Sequence, residues 1–227
     1  MVSIHRRELI AGAGALGLTA LPILACAQQP AAPAATSARL IAGTTCPVTP
    51  EQTEGPFYFD PEMVRREIAE GKAGVPLRLR LQIVDAAGCA PGPRARVDIW
   101  HCDAEGAYSG YDRERTQGQR WLRGTQFADA EGIAEFRTVW PGWYQGRAPH
   151  IHVKAWLPDR REVTSQLYFA DALSDAVYGQ GPYAGRPGRR LRNGDDRIFR
   201  SSGDAVPIVQ ASAAADGYDG AIVIALS

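Results

Sequence analysis

Eight residues, Leu77-Arg78-Leu79-Arg80-Leu81-Gln82-Ile83-Val84, alternate apolar and polar until their last pair. Successive side chains of an extended chain point to opposite faces, so this period places leucines on one face and arginines with Gln82 on the other. The stretch reads as a half-buried strand. A turn over 85–93 leads into a returning strand, Arg96-Val97-Asp98-Ile99-Trp100-His101, and further strands are predicted over 133–140, 150–156, 163–169, 206–210 and 221–226. The 24 Gly and 16 Pro are scattered along the chain, the punctuation of an all-β domain. Roughly seven or eight strands, long loops and one or two short helices predict an all-β fold, a β-sandwich of the prealbumin or immunoglobulin-like kind. Asp60 as cap, Pro61 at the first helical position and Gly71 as stop predict one helix over 61–70 on the outside of a sheet. A second is predicted over 170–178. Residues 103–125 form a polar loop of roughly twenty residues, a length that a compact domain keeps mainly to serve a site. The polar segment 180–204, with a turn signal at Asn193-Gly194, is either a connecting loop or a lid.

The chain has 227 residues and a formal charge of zero, which gives no reason to expect nucleic acid or an anionic membrane surface as partner. Residues 1–27 read as a signal peptide: Arg6-Arg7, an apolar run from Leu9 to Ala25, then Ala25-Cys26-Ala27. The paired arginines ahead of Glu8-Leu9-Ile10 resemble a twin-arginine signal. Residues 28–45 read as a flexible linker and 46–227 as one globular domain, with no stable membrane span in the mature chain. The expected location is periplasmic or extracellular. Ile23-Leu24-Ala25-Cys26 also resembles a lipoprotein box, so anchoring through Cys26 is the alternative to soluble export. In an oxidising compartment two of Cys46, Cys89 and Cys102 are expected to pair. Cys89 and Cys102 stand at opposite ends of a strand, beyond the ~7 Å that a disulfide spans. Cys46 is thus the partner of one or the other.

Chemistry concentrates in Pro141-Gly142-Trp143-Tyr144-Gln145-Gly146-Arg147-Ala148-Pro149-His150-Ile151-His152. On a strand His150 and His152 share a face while Ile151, Val153 and Ala155 take the core side. By itself such a pair is a solvated face, and Lys154 lies on the same side. Yet two of the chain's four histidines stand here, behind a loop shaped by Gly142, Gly146 and Pro149. Two imidazoles call for further ligands. Asp103 or Glu105 would complete the two-His, one-carboxylate set of ferrous oxygenases, whereas Tyr108 or Tyr144 as phenolate requires a strongly Lewis-acidic, hard cation such as ferric iron.

The Pro-Gly-x-Tyr144 and Arg147-x-Pro-His150-Ile-His152 motifs, with Trp100 eight residues before Tyr108, resemble the intradiol ring-cleavage dioxygenases, the group of protocatechuate 3,4-dioxygenase and catechol 1,2-dioxygenase. The resemblance runs from Thr53 to about Phe169. It implies that Tyr108, Tyr144, His150 and His152 hold a mononuclear non-haem Fe(III), and that Tyr144 is the ligand displaced by substrate and then acts as base. It further implies that Arg147 lies beside the substrate, with Gln166 behind it. Glu54-Gly55-Pro56-Phe57-Tyr58 would supply a wall of the pocket. The implied reaction takes a catechol and O2 and breaks the ring between its two hydroxylated carbons, giving a cis,cis-muconate; a homo-oligomer is compatible with it. Protocatechuate enzymes place tryptophan two residues after the second tyrosine, where this chain has Gly146, so the resemblance does not carry substrate identity. Two other readings stand beside it: a ferrous or zinc enzyme using His150 and His152 with a carboxylate, and a prealbumin-like sandwich that binds an exported phenol or sugar without that metal.

Overall fold

The computed structural model describes residues 46–60, 62–188 and 190–227; the signal peptide and linker read over 1–45 lie outside the described residues. The strands are β1 (Pro76–Asp85), β2 (Ala90–Pro91), β3 (Arg96–Trp100), β4 (Arg123–Phe127), β5 (Ile133–Val139), β6 (His150–Trp156), β7 (Glu162–Tyr168), β8 (Gln210–Ala214) and β9 (Gly217–Leu226). Two short helices, α1 (Asp171–Tyr178) and α2 (Arg197–Ser201), precede β8. One sheet runs β2-β1-β9-β8 with β5 also paired to β1, and the other runs β4-β3-β6-β7.

The alternating stretch becomes β1, and its Leu77, Leu79, Leu81 and Ile83 enter the core at no more than 1% exposure. They meet Val97, Ile99, Ile151, Val153 and Ala155 of the second sheet in one apolar cluster with Phe136, Trp140 and Ile224. Truncating a side chain so enclosed to alanine costs about 2–5 kcal/mol. Both faces of the expected sandwich are thus filled by the residues that the period-two pattern selects.

The helix expected over 61–70 does not form. Asp60 does accept the Glu62 N–H at 2.9 Å, but Glu62 then takes φ +51°, and the described residues beyond it run extended along strand edges. Val64 bridges Thr125 and Glu67 bridges Arg137. The Arg65 N–H reaches Thr125 C=O at 3.0 Å, the Ile68 N–H reaches Arg137 C=O at 3.0 Å, and the Leu122 N–H reaches Ile68 C=O at 2.7 Å. A helix would leave these sheet-edge groups without partners and withdraw Ile68 from the core. The strand expected over 206–210 is reduced to one bridge, Ile208 to Tyr168, with the Tyr168 N–H donating to Pro207 C=O at 2.9 Å and the Val209 N–H to Tyr168 C=O at 2.8 Å, and β8 begins only at Gln210. The bridge is Cys46–Cys89, Cα–Cα 5.5 Å, and Cys102 is free and buried. Among the described residues no helix is long and apolar enough to cross a membrane.

Candidate functional site

β6 delivers its first and third residues to the sheet face turned away from the core. His150 pairs with Tyr168, and His152 lies between Trp100 and Gln166 in one row across β3, β6 and β7. Neither imidazole is solvated: they are 2% and 1% exposed. The segment before β1 covers them. Gln52 N–H donates to Thr164 C=O at 2.8 Å, Gln166 Nε2 to Thr53 C=O at 2.8 Å, and Lys154 pairs with Glu54 at 3.0 Å. Gly55, at φ +72°, stands over His152, where a Cβ would lie 3.4 Å from Cε1. The polar face is therefore covered by protein and not solvated.

The hydrogen bonds of His150 fix its tautomer. Its Nδ1 lies 2.6 Å from the Ala148 carbonyl oxygen, which accepts only, so the proton is on Nδ1 and Nε2 carries a lone pair. That Nε2 lies 3.1 Å from His152 Nε2 and 3.1 Å from Tyr144 Oη. The His152 ring stacks on Trp100 at 4.8 Å and 8°. Tyr108, from the long loop after β3, stacks on Phe57 at 4.2 Å and 7°, with its ring 5.8 Å from Tyr144 and 6.2 Å from His152. Its hydroxyl is buried with no hydrogen-bond partner among the described residues.

Burial sets the charge of all four groups. It lowers His150 to about 3, with the Arg147 cation acting in the same direction, and takes His152 well below the usual imidazole range, reinforced by His150. It raises Tyr108 well above the phenol range, against the pull of Arg147, and raises Tyr144 to about 12, again opposed by Arg147. Two neutral imidazoles with converging nitrogens and two phenol hydroxyls, that of Tyr108 without a hydrogen-bond partner among the described residues, make a donor set suited to a cation. His150 Nε2 lies 3.1 Å from both His152 Nε2 and Tyr144 Oη, close enough for these donors to meet at one ion bound at ~2.1 Å. The donor set fits a single ion.

The carboxylate alternatives do not reach it. Asp103 Oδ1 accepts the N–H groups of Glu105 and Ala107, each at 3.0 Å, and its Oδ2 is held by Lys72 at 2.7 Å. Glu105 is exposed. Among the described residues no three His, Cys, Asp or Glu side chains form a metal-binding group, so a protein donor set larger than the two imidazoles needs the phenols. Cys102 is held as a neutral thiol, its pKa pushed by burial to about 12.

Arg147 and Gln166 form the flank. Arg147 Nη2 donates to Gln166 Oε1 at 2.5 Å and to Tyr168 Oη at 3.2 Å, its Nε to Asp196 Oδ2 at 2.9 Å. Nη1 faces Tyr144 Oη and His150 Nε2, each at 3.4 Å. Gln166 is fully buried. Gly146 is exposed at φ +82°, with open space around an added Cβ, so the residue that departs from the protocatechuate pattern leaves this rim of the site open. The two tyrosine loops are locked together. Gly142 N–H donates to Asp103 C=O at 3.2 Å, and Arg186 donates to Ala104, Glu105 and Trp143 carbonyls at 2.9, 2.5 and 2.7 Å. Asp196, Tyr168 and Arg186 are not evident from sequence. Asp196 could be seen only as a helix cap, and nothing local to Arg186 announces its partners.

A family model described as a dioxygenase matches residues 53–177, a span that contains both tyrosines, both histidines, Arg147 and Gln166. Catechol 1,2-dioxygenase of Pseudomonas sp. (strain EST1001) is 30% identical over 171 residues, 64% of this chain and 56% of the relative. The chain spans about half the length of the curated relatives it matches. Among solved structures, an intradiol ring-cleavage dioxygenase from Tetranychus urticae superposes with TM-score 0.75 at 30% identity, covering 80% of this chain and 95% of that one. The dioxygenase domain of a dioxygenase carbohydrate-binding protein fusion from Streptomyces sp. SirexAA-E gives TM-score 0.59 at 32% identity, covering 80% of this chain and 100% of that one. The sandwich and these matches agree: the chain belongs to the intradiol ring-cleavage dioxygenase family.

Proposed function

We propose that the protein is an Fe(III)-dependent intradiol dioxygenase that opens a catechol with O2 between the two hydroxylated carbons, giving a cis,cis-muconate. The observation that carries this reading is the meeting of His150 Nε2, His152 Nε2 and Tyr144 Oη at 3.1 Å contacts beside the orphaned Tyr108 hydroxyl. Tyr108, Tyr144, His150 and His152 would hold the iron, and two phenolates suit a hard, highly charged ion. Held there, ferric iron would supply Lewis acidity towards the catechol hydroxyls.

The protein's own part follows from burial. Tyr108 is 1% exposed and stacked on Phe57, which favours its remaining in place. Tyr144 is half-buried and is followed by exposed Gln145 and Gly146, so its ring has room to leave and its Oη can take a substrate hydroxyl proton. Arg147 offers Nη1 to the same space as a fixed cationic donor for charge developing on the ring, in the manner of an oxyanion donor. Gln166 keeps Nη2 occupied and the guanidinium oriented. Phe57 and Trp100 exclude water from the histidine side. Export to an oxidising compartment is supported by the Arg6-Arg7 and apolar-run pattern and by the Cys46–Cys89 bridge.

The test is turnover of a catechol panel under O2 by iron-loaded protein, followed by product. A ring-opened dicarboxylate supports the proposal; a semialdehyde, or no consumption of any catechol, sinks it.

A further inference from the structure

The described residues of the 180–204 segment supply no donor to the metal cradle, and the segment lies wholly beyond the span matched by the family model, residues 53–177. It is nevertheless built into the site. Arg190 ties it to α1 through Asp171 and Asp175, both at 2.6 Å, and Asn193 Nδ2 donates to Phe169 C=O at 2.8 Å. Between these anchors and α2 stands Asp196, a carboxylate with no solvent exposure. Oδ2 accepts Arg147 Nε at 2.9 Å and the Ala148 N–H at 2.8 Å. Oδ1 accepts the Ile198 and Phe199 N–H groups at 2.8 and 3.3 Å. One carboxylate thus caps α2, fixes the loop two residues ahead of His150, and grips Arg147 across 49 positions of sequence.

We propose that Asp196 is a positioning residue that aims the Arg147 guanidinium at the substrate side of the centre. Holding Nε sets the rotation of the planar fork about its stem. With Nε on Asp196 and Nη2 on Gln166 and Tyr168, Nη1 is the one nitrogen with only long contacts, 3.4 Å to Tyr144 Oη and to His150 Nε2. It is the donor left over for a reacting group. Released from Asp196, the side chain, itself 18% exposed, can swing outward. In Asp196→Asn one oxygen still caps α2, but the amide then turns an N–H towards two N–H donors, and the grip on Arg147 is lost. The kinetic consequence rests on the dioxygenase reading; the geometric one does not.

Two measurements on the full chain decide it. The first is a double-mutant cycle on catechol. Asp196→Asn is expected to lower kcat about 10- to 100-fold, a partial loss of a charge-stabilising donor, with KM changed less than about threefold. In an Arg147→Ala background the same change should add less than about twofold if its route to kcat is the aim of that side chain and not the hold of Asp196 on the Ala148 N–H. An equal loss in both backgrounds overturns the proposal. Should Asp196→Asn not fold, Asp196→Glu, which keeps the charge and displaces it by a methylene, is expected to show the same kcat loss and the same non-additivity. The second measurement is NMR of arginine Nε–H groups in protein loaded with diamagnetic Ga(III). The signal missing in Arg147→Ala should exchange slowly with solvent in the parent chain and quickly in the Asp196 variant; unchanged exchange overturns the proposal. A parent chain that turns over no catechol refutes the dioxygenase reading, and the NMR result still decides the positioning.

Discussion

At the scale of single residues, the two phenols and two imidazoles of the site are groups that burial has stripped of charge. Tyr108 and Tyr144 are held protonated, well above the usual phenol range and at about 12 respectively, and His150 is neutral down to about 3. Taking up a cation must therefore release the phenolic protons and none from the imidazoles. A pH-stat titration near pH 7 with a ferric chelate of known proton count should show about two protons freed per iron bound by the chain, and apparent affinity should rise with pH. Release of none would fit a two-imidazole centre without phenolates and contradict this account. Tyr144, Arg147, His150 and His152, which the structure brings together, could be read as one cluster because they lie within a few positions of one another, whereas Tyr108 lies far from them in sequence and is picked out as a ligand only through the family resemblance. Asp196 was not legible, since its bond to Arg147 spans 49 positions and its local sequence signals only a cap. Asp103 and Glu105 show the converse: their types suit a metal, but Lys72 and the loop's own N–H groups claim the first, and solvent the second.

At the scale of elements, the site depends on two loops pressed together. An added Cβ at Gly142 would lie 2.3 Å from the Asp103 carbonyl oxygen and 2.6 Å from that of Ala104. Gly142→Ala must push the Tyr144 loop away from the loop that leads to Tyr108. A stability loss of about 1–3 kcal/mol is expected from such overpacking, together with weaker iron retention, both read from thermal melts and metal analysis. Iron content and melting temperature equal to the parent's would show that the loops are not coupled in this way. The disulfide couples another pair of elements, tying Cys46, where the covering segment begins, to the β1–β2 turn across 43 positions. Chain-entropy arithmetic assigns its loss about 4 kcal/mol, so Cys46→Ser should lower the denaturant midpoint clearly; an unchanged midpoint would contradict it. Strands were readable where one face meets the core, as in β1 and β6. The 61–70 helix was misread because its cap is real while the following residues are recruited by strand edges that no local pattern reveals.

At the scale of the whole molecule, three imidazoles are buried in neutral form. His101 lies between the Cys102 carbonyl and Thr138 and is lowered to about 4 by burial; His150 and His152 are lowered further. Each is uncharged when folded and charges on unfolding below its ordinary pKa, so the unfolded chain binds more protons as the medium becomes acidic. Stability from this source is fully present above about pH 6.5 and declines as pH falls towards 4, by about 1.4 kcal/mol per pH unit for each group. Denaturant unfolding of metal-free protein over that range should show a slope near three protons; a flat profile would contradict the burial. The central claim, that two phenolates and two imidazoles of this chain form one ferric centre, is tested most directly by resonance Raman spectroscopy of the iron-loaded protein. Roughly one iron per chain, with a visible band that enhances tyrosinate ring modes and a Tyr108→Phe variant that loses part of that spectrum, is the predicted result. A colourless iron protein, or a spectrum indifferent to both Tyr108→Phe and Tyr144→Phe, would contradict it.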